Sequence, residues 1–201
     1  MFHLNLEDSG VAASRLRFVL AQLGRKVGAA EQLARVLDAP NVSAVAGGVR
    51  PWRQMDERTW RTGVVADPAP WQAAARAGGS VTAWRSFTDA ERYLWIQCAP
   101  LASATDAAAA LAAASSPSAG LRNNQAQVGV ISRRDVDPLP VVRGASQVTA
   151  TEETTTGPGL VHTLRCTTGL HVVVLCASGP GWDWPTVAAL ADAQLNRLPA
   201  D

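Results

Sequence analysis

The sequence contains no apolar run of the length, about 18 residues or more, that a membrane-spanning helix requires. Its first residues also carry the charges of Glu7, Asp8, Arg15 and Arg17. A secretory signal peptide has an uninterrupted apolar segment in that region. With neither feature in the sequence, we expect a cytoplasmic location.

Cysteine is scarce and unpatterned. Cys98, Cys166 and Cys176 are odd in number and form no C-x-x-C pair, which argues against a disulfide scaffold and a zinc site. The chain also lacks the H-E-x-x-H, P-loop and G-x-S-x-G motifs. We therefore predict no metal, no cofactor and no catalytic residue assigned by motif.

No charge of one sign dominates, because 18 basic residues stand against 17 acidic ones and the net charge is +1. Nucleic-acid-binding domains have a strong basic surplus, so we expect no nucleic-acid partner. Hydrophobic residues make up 47% of the 201 residues. That content is enough for one hydrophobic core, and we predict a single domain over residues 1–201.

The first predicted element is a long amphipathic helix over residues 9–38. Its apolar residues recur every three or four positions, as in the seam of a packed helix: Leu16, Leu20, Leu23, Val27 and Leu37. Pro40 follows its predicted end, and residues 39–50 are interpreted as a connector. The helix is also basic, through Arg15, Arg17, Arg25, Lys26 and Arg35, so peripheral contact with an anionic membrane is a further hypothesis.

A weak internal repeat organises the remaining chain into residues 60–115 and 125–198. In the first copy, VTAWRSF (81–87) and RYLWIQCAP (92–100) precede an Ala-rich helix near 105–114. In the second, LVHTLRC (160–166) and LHVVVLCASGP (170–180) precede a helix near 185–198. Each copy has a further extended segment upstream, near 62–66 in the first and near 127–132 with 141–149 in the second. The pattern predicts an α+β fold, in which two β-β-β-α units form a single antiparallel sheet with both helices on one face.

Alternation along the strands divides the repeat into two faces. Cys98 and Cys176 correspond at a separation of 78 residues, and this alignment gives one apolar face that we assign to the core: Leu94, Ile96 and Cys98 with Val172, Val174 and Cys176. The other face is mixed: Tyr93, Trp95 and Gln97 with His171, Val173 and Leu175. It is too apolar for a solvated surface, so something covers it.

Two covers for this mixed face are open, and the sequence favours the first. The N-terminal helix can lie on it, as amphipathic helices within domains usually do. Alternatively, a partner covers it, and then Trp84, Tyr93 and Trp95 form a recognition surface, since aromatic residues are enriched at such surfaces.

Two further tryptophans, Trp182 and Trp184, lie in the segment GPGWDWP before the last helix. If exposed, they are candidate binding residues. If folded back, they close the edge of the core, and we favour this structural interpretation because Asp183 and Pro185 already mark a helix start.

Cys166 and His171 are the only candidates for nucleophilic chemistry. A two-residue Thr168-Gly169 turn would place the thiol directly across from the imidazole, which can generate a thiolate. No third residue orients the imidazole, and His162 is about 13 Å from Cys166 along the strand. A packed thiol is the default interpretation, and an enzyme is the less favoured alternative.

The segments RYLWIQCAP and LHVVVLCASGP, each followed by an Ala-rich helix, resemble the layout of small actinobacterial PsbP-like α+β proteins. That group includes envelope-associated accessory proteins of the trehalose monomycolate transport factor type. The resemblance spans residues 60–198, carries no functional residue over, and implies a non-catalytic accessory or sensor role at the cell envelope. Our first hypothesis is therefore a non-enzymatic domain that binds a protein partner. The alternative is a small enzyme or ligand-binding protein that uses Cys166 and His171.

Overall fold

The computed structural model describes residues 28–48, 50–60, 82–114, 130–156 and 159–199. These residues form one seven-stranded antiparallel sheet and four helical segments. The helices are α1 (28–35), α2 (Ala39–Ala46), α3 (Ala104–Ala114) and α4 (Trp184–Leu195). The strands are β1 (Arg53–Trp60), β2 (Thr82–Thr88), β3 (Tyr93–Pro100), β4 (Val130–Asp135), β5 (Gln147–Thr155), β6 (Leu160–Thr168) and β7 (His171–Ser178).

The sheet has the order β1-β2-β3-β7-β6-β5-β4. Its centre is the antiparallel pair β3 and β7, in which Ile96 lies opposite Leu175 and Cys98 opposite Val173. The two halves of the chain therefore meet in one continuous sheet. The predicted α+β fold with a single antiparallel sheet is confirmed.

One side of the sheet, the apolar face, carries the main core. Because residues paired across antiparallel strands share a face, the register assigns these side chains to it: Phe87, Leu94, Ile96, Leu164, Cys166, Val173 and Leu175. Val187, Leu190 and Ala191 of α4 and Val42 of α2 belong to the same buried cluster. Each fully buried aliphatic side chain of this kind stabilises the fold by about 1.5–3 kcal/mol.

The two helices that follow β3 and β7 lie on opposite faces, so the expectation of both on one face is wrong. Ala107 and Ala110 of α3 cluster with Val172 and Val174, whereas α4 packs on the side of Val173. Neighbouring residues of a strand point to opposite faces. The run of three valines in β7 is apolar on both faces, and the sequence therefore gave no sign of which face each helix covers.

The alignment of the two copies at a separation of 78 residues predicts the wrong face of the sheet for the side chains of β7. Leu94 lies opposite Ala177 and Ile96 opposite Leu175, so even-numbered residues of β3 share a face with odd-numbered residues of β7. Val172, Val174 and Cys176 consequently lie on the face opposite to Leu94, Ile96 and Cys98. The mixed face expected from Trp95, Val173 and Leu175 together does not exist. A rotation that superposes the two central strands would leave α3 and α4 on opposite sides, so the units do not repeat as wholes.

The predicted connector over residues 39–50 contains a helix, α2. Asp38 caps it, because its Oδ1 accepts a hydrogen bond from the Asn41 N–H at 3.0 Å, and Pro40 lies in its first turn. Proline in the first turn starts a helix as readily as proline beyond the last turn ends one. The expectation that Pro40 follows the end of a helix and begins a connector is therefore wrong, because Pro40 lies in the first turn of α2.

The predicted N-terminal helix over residues 9–38 is described only from residue 28, and α1 ends at 35. Val36 and Leu37, which follow it, are buried in the cluster of the apolar face. Leu16, Leu20, Leu23 and Val27 lie outside the described residues, as do Arg15, Arg17, Arg25 and Lys26. The membrane hypothesis for this helix therefore stays a prediction, as does the extended segment near 62–66.

Candidate functional site

The second side of the sheet, which we call the polar face, buries polar side chains. The register and the alternation along each strand place on it ten buried polar or charged residues: Thr82, Ser86, Gln97, Thr151, Glu153, Thr155, Thr163, Arg165, Thr167 and Ser178. α3 packs against one end of this face. Burying polar groups opposes folding unless they are hydrogen-bonded. Such a concentration on one side of a sheet is typical of a functional surface rather than of a core.

Three of the predicted binding aromatics meet on the polar face. The rings of Trp84 and Trp95 are tilted by 49°, with their centroids 6.4 Å apart. Tyr93 lies two residues before Trp95 in β3, on the same side of the strand. Trp84 is buried, whereas Tyr93 and Trp95 are half-buried. Burial raises the pKa of Tyr93, against an opposing hydrogen bond with Ser86. This aromatic group therefore has one buried member, Trp84, and two partly accessible members, Tyr93 and Trp95.

Gln97 lies at the centre of this face and is fully buried, at 0% exposure. Trp84 is its neighbour on β2 and Val174 its neighbour on β7. Within the described part of the chain, neither Nε2 nor Oε1 of Gln97 has a hydrogen-bond partner, and the same holds for Trp95 Nε1. Buried polar side chains are nearly always hydrogen-bonded. The side-chain amide of Gln97 therefore has an N–H2 group and a carbonyl oxygen without hydrogen bonds, next to the aromatic group.

A buried ionic group occupies the other half of the polar face. Arg165 is 4% exposed, and its Nη1 donates to Thr151 Oγ1 at 3.4 Å. Glu153 is equally buried and lies 3.7 Å from Arg133 Nη1. Burial lowers the pKa of Arg165 and raises the pKa of Glu153, although Arg133 and Arg165 oppose the latter shift. Asp135 also acts on Arg165, so two acidic side chains stand near the two arginines, and this half of the face has no clear surplus of positive charge.

Cys166 does not face His171. The turn is Gly169-Leu170, with Thr168 opposite His171 and Cys166 opposite Val173. Cys166 is buried, and burial raises the pKa of its thiol to about 12. The turn lies one residue later than the predicted Thr168-Gly169 turn, which moves the residue opposite Cys166 by two positions, from His171 to Val173. A thiol with so high a pKa is a poor source of thiolate.

Trp182 and Trp184 lie apart from the polar face, in the cluster of the apolar face. The rings of Trp182 and Trp52 are tilted by 46°, with their centroids 5.6 Å apart. The Arg92 guanidinium lies over both rings, 5.2 Å from the centroid of Trp182 and 4.9 Å from that of Trp52. Trp182 Nε1 also donates to the Ser178 carbonyl oxygen at 3.0 Å. Trp184 is also held by specific contacts, with Glu152 and His162. These contacts give Trp182 the structural role that the sequence analysis favoured.

Trp184 begins α4 and donates from Nε1 to Glu152 Oε1 at 2.7 Å. Its ring meets the edge of His162 at a centroid distance of 4.9 Å. Glu152 also accepts hydrogen bonds from Arg134. Burial alone would raise the pKa of Glu152, but the hydrogen bonds from Arg134 and Trp184 outweigh it and hold the pKa below its ordinary value. This network, in which Glu152 is buried and Arg134 is exposed, joins α4 to the sheet.

Sequence reasoning missed Arg165 and Glu153 as members of the face and noted Gln97 only as part of a mixed surface. A signal for Arg165 existed, because Thr163, Arg165 and Thr167 recur at every second position of β6. That period places three polar side chains on one side of a strand. For Glu153 the run TEETTT offered no alternation to read, since both of its faces are polar.

Among the residues that the structure describes, no three His, Cys, Asp or Glu side chains are grouped so that they could hold a metal ion. None of the helices described above is long and apolar enough to cross a bilayer.

The sequence matches no protein-family model and no curated protein. Similar chains are found among the solved structures. The extracellular domain of PknH from Mycobacterium tuberculosis is similar with a TM-score of 0.56, at 13% identity, over 82% of this chain and 94% of that one. A putative uncharacterized protein from Mycobacterium smegmatis, the Rv0999 ortholog, has a TM-score of 0.42 at 8% identity, over 80% of this chain and 96% of that one. The first likeness extends to nearly the whole of a mycobacterial extracellular domain.

Proposed function

We propose that this chain is a non-enzymatic accessory domain that binds a protein partner through the polar face of its sheet. The observation that carries the proposal is the grouping of Trp84, Tyr93 and Trp95 beside Gln97, whose buried amide has no partner in the described part of the chain. Trp and Tyr supply much of the binding energy at protein interfaces. The non-enzymatic interpretation is supported by Cys166, which lies opposite Val173 instead of His171 and whose pKa is raised to about 12 by burial.

The cell envelope is the proposed place of action, in place of the cytoplasmic expectation. The likeness to the PknH extracellular domain supports an extracellular location. The sequence-level resemblance to envelope-associated PsbP-like proteins of the trehalose monomycolate transport factor type points the same way and supplies the accessory role. Both belong to the proposal, because a shared fold at 13% identity carries no function with it.

Three free cysteines are compatible with an oxidising compartment, because the sheet holds them too far apart to form a disulfide. Cys98 and Cys166 lie opposite Val173 from its two sides, so their Cα atoms are separated by two strand spacings, about 9–10 Å. A disulfide spans at most about 7 Å between Cα atoms. Cys176 lies on the polar face, away from both. The free state of these cysteines follows from the sheet and gives no information on the compartment.

Site-directed photo-cross-linking tests the proposal. A benzoylphenylalanine at Tyr93 probes the polar face, and the same residue at Val141, which is 79% exposed on the loop after β4, serves as the control. In an actinobacterial host we expect a discrete protein adduct from position 93 and none from position 141. The absence of any adduct specific to position 93, in both cytoplasmic and envelope fractions, contradicts the proposal.

A further inference from the structure

A buried histidine lies where the first residue of α4 meets the sheet. His162 is 4% exposed, and its ring packs against that of Trp184 at an angle of 71°. Its Nε2 lies 3.8 Å from Glu152 Oε1, which is too long for a hydrogen bond. Its Nδ1 is buried and has no hydrogen-bond partner in the described part of the chain. The imidazole is therefore packed in the way that an apolar ring would be.

This packing favours a neutral imidazole over a charged one. A neutral ring carries one N–H, whereas the imidazolium carries two. Because the Glu152 carboxylate lies on the Nε2 side, the neutral ring carries its hydrogen on Nε2. The proton that the ring takes up in acid then goes to Nδ1. It creates a buried N–H of a charged group with no acceptor, which strongly opposes folding.

Charged groups act on His162 from the neighbouring strands and from the start of α4. Glu152 of β5 and Asp183 favour its protonation, whereas Arg134 of β4 opposes it. Both carboxylates are already engaged, since Glu152 accepts a hydrogen bond from Arg134 and Asp183 caps α4. The N-terminus of α4 is the positive end of the helix dipole and also disfavours a nearby cation. Burial lowers the pKa of His162 and outweighs the two carboxylates.

The cover over His162 is thin, because the site lies near the rim of the sheet. Leu160, two residues earlier on the same side of β6, is 42% exposed. The side chain of Arg134 is 76% exposed. Trp184 is half-buried and is the first residue of α4. An outward movement of the first turn of α4 is therefore the smallest change that brings water to the imidazole.

We propose that His162 is an acid-sensitive latch for α4, whose protonation releases Trp184 and the first turn of that helix from the sheet. The proton comes from solvent, and only noncovalent contacts change. Histidine is the side chain whose charge ordinarily changes between pH 5 and 8. This inference goes beyond the proposed function and is independent of the polar face, because His162 lies opposite Ala177 on the other side of the sheet. The latch gives the domain a conformational response to acid.

Hydrogen exchange in the full-length chain tests the latch, when it is measured by NMR between pH 7.5 and 5 and corrected for the intrinsic rate. A histidine with a lowered folded-state pKa stabilises the closed state above its unfolded pKa, about 6.5, and this stability is lost as the pH falls below it. We expect the Val187 N–H, which donates to the Asp183 carbonyl oxygen, to lose protection up to tenfold per pH unit in that range. The Leu195 N–H in the last turn of α4 is the control and keeps its protection. An equal loss at both positions, or none at Val187, overturns the inference.

Two variants identify the group that titrates. His162→Phe keeps an aromatic ring against Trp184 but binds no proton, and His162→Gln is a smaller replacement that does not titrate either. In both we expect the protection of the Val187 N–H to stay within about twofold between pH 7.5 and 5. Both variants retain His3 and His171. A tenfold loss that persists in the variants assigns the response to another group and overturns the inference.

Discussion

The Leu37 N–H donates to Gln194 Oε1 across 3.0 Å, in the interior between α4 and the segment that follows α1. Gln194 Nε2 completes the clamp by donating to the Arg35 carbonyl oxygen at 2.8 Å. Gln194 is fully buried, and Leu37 is 2% exposed. One side-chain amide therefore satisfies the two main-chain groups freed where the helix ends, which lets this bend lie inside the core.

Replacing Gln194 with leucine breaks both bonds. The Leu37 N–H and the Arg35 carbonyl are then buried without partners, at a cost of about 1–3 kcal/mol for each such group. We expect a loss of about 2–4 kcal/mol in the free energy of unfolding, measured by urea denaturation. Gln147→Leu, at the exposed start of β5, is the control and changes this free energy little. If Gln194→Leu is no less stable than this control, the clamp does not hold the segment.

The thiols of Cys98 and Cys166 should resist alkylation by iodoacetamide in the native protein. Both are buried on the apolar face, and burial raises the pKa of each to about 12. Cys176 is partly accessible, and burial raises the pKa of its thiol to about 11. We expect slow labelling of Cys176 alone at pH 7, about tenfold faster for each added pH unit, because only the thiolate reacts. Rapid, selective labelling of Cys166 at neutral pH would restore the thiolate hypothesis.

Acid should remove the contribution of Glu152 to stability. Its folded-state pKa lies below its ordinary value, since the hydrogen bonds from Arg134 and Trp184 outweigh the effect of burial. A lowered folded-state pKa means that the stabilisation is present above the unfolded pKa, about 4.3, and is lost as the pH falls through the folded pKa. We expect Glu152→Gln to lower the free energy of unfolding by about 1–3 kcal/mol at pH 7 and to have a smaller effect near pH 3, below the unfolded pKa. Urea denaturation at the two pH values measures the free energy of unfolding. An equal loss at both pH values would contradict a stabilising role for the Glu152 carboxylate.

Gly179 is needed where β7 turns toward α4. Its φ is +103°, and a Cβ added there would lie 2.5 Å from the Glu91 carbonyl oxygen. Gly159 also has a positive φ, of +78°, but has no atom within 4 Å of the added Cβ. Alanine at either position strains the backbone by about 1–3 kcal/mol, and only Gly179→Ala adds the clash. We expect the Tm to fall further for Gly179→Ala than for Gly159→Ala, and equal losses would show that the Glu91 loop moves aside.

The sequence predicted the elements better than it predicted their arrangement. Strands β2, β3, β6 and β7, helix α3 and helix α4 from its Asp183 cap were all anticipated, because alternation and capping are local signals. The faces were not, since the consecutive valines of β7 make both of its sides apolar. A shift of one position in the turn after Thr168 then moved Cys166 from His171 to Val173.

The candidate site was predictable in part, for a related reason. Trp84, Tyr93 and Trp95 share a face of two neighbouring strands, and the sequence correctly predicted this grouping from the alternation of side chains. Arg165 joins that face only through the register of β7 with β6, which sequence periodicity does not specify. The lack of a partner for Gln97 is a property of its surroundings in three dimensions, and no pattern of residues contains it.

The central claim is that the polar face binds a protein partner, and the yield of the cross-link from position 93 tests it most directly. Trp95→Ala removes the accessible aromatic of this face, whereas Leu139→Ala alters an exposed apolar side chain on the loop between β4 and β5. We predict that Trp95→Ala lowers the adduct yield about tenfold, as loss of an interface hot spot does, while Leu139→Ala leaves it unchanged. An adduct whose yield is the same in both variants would contradict the account.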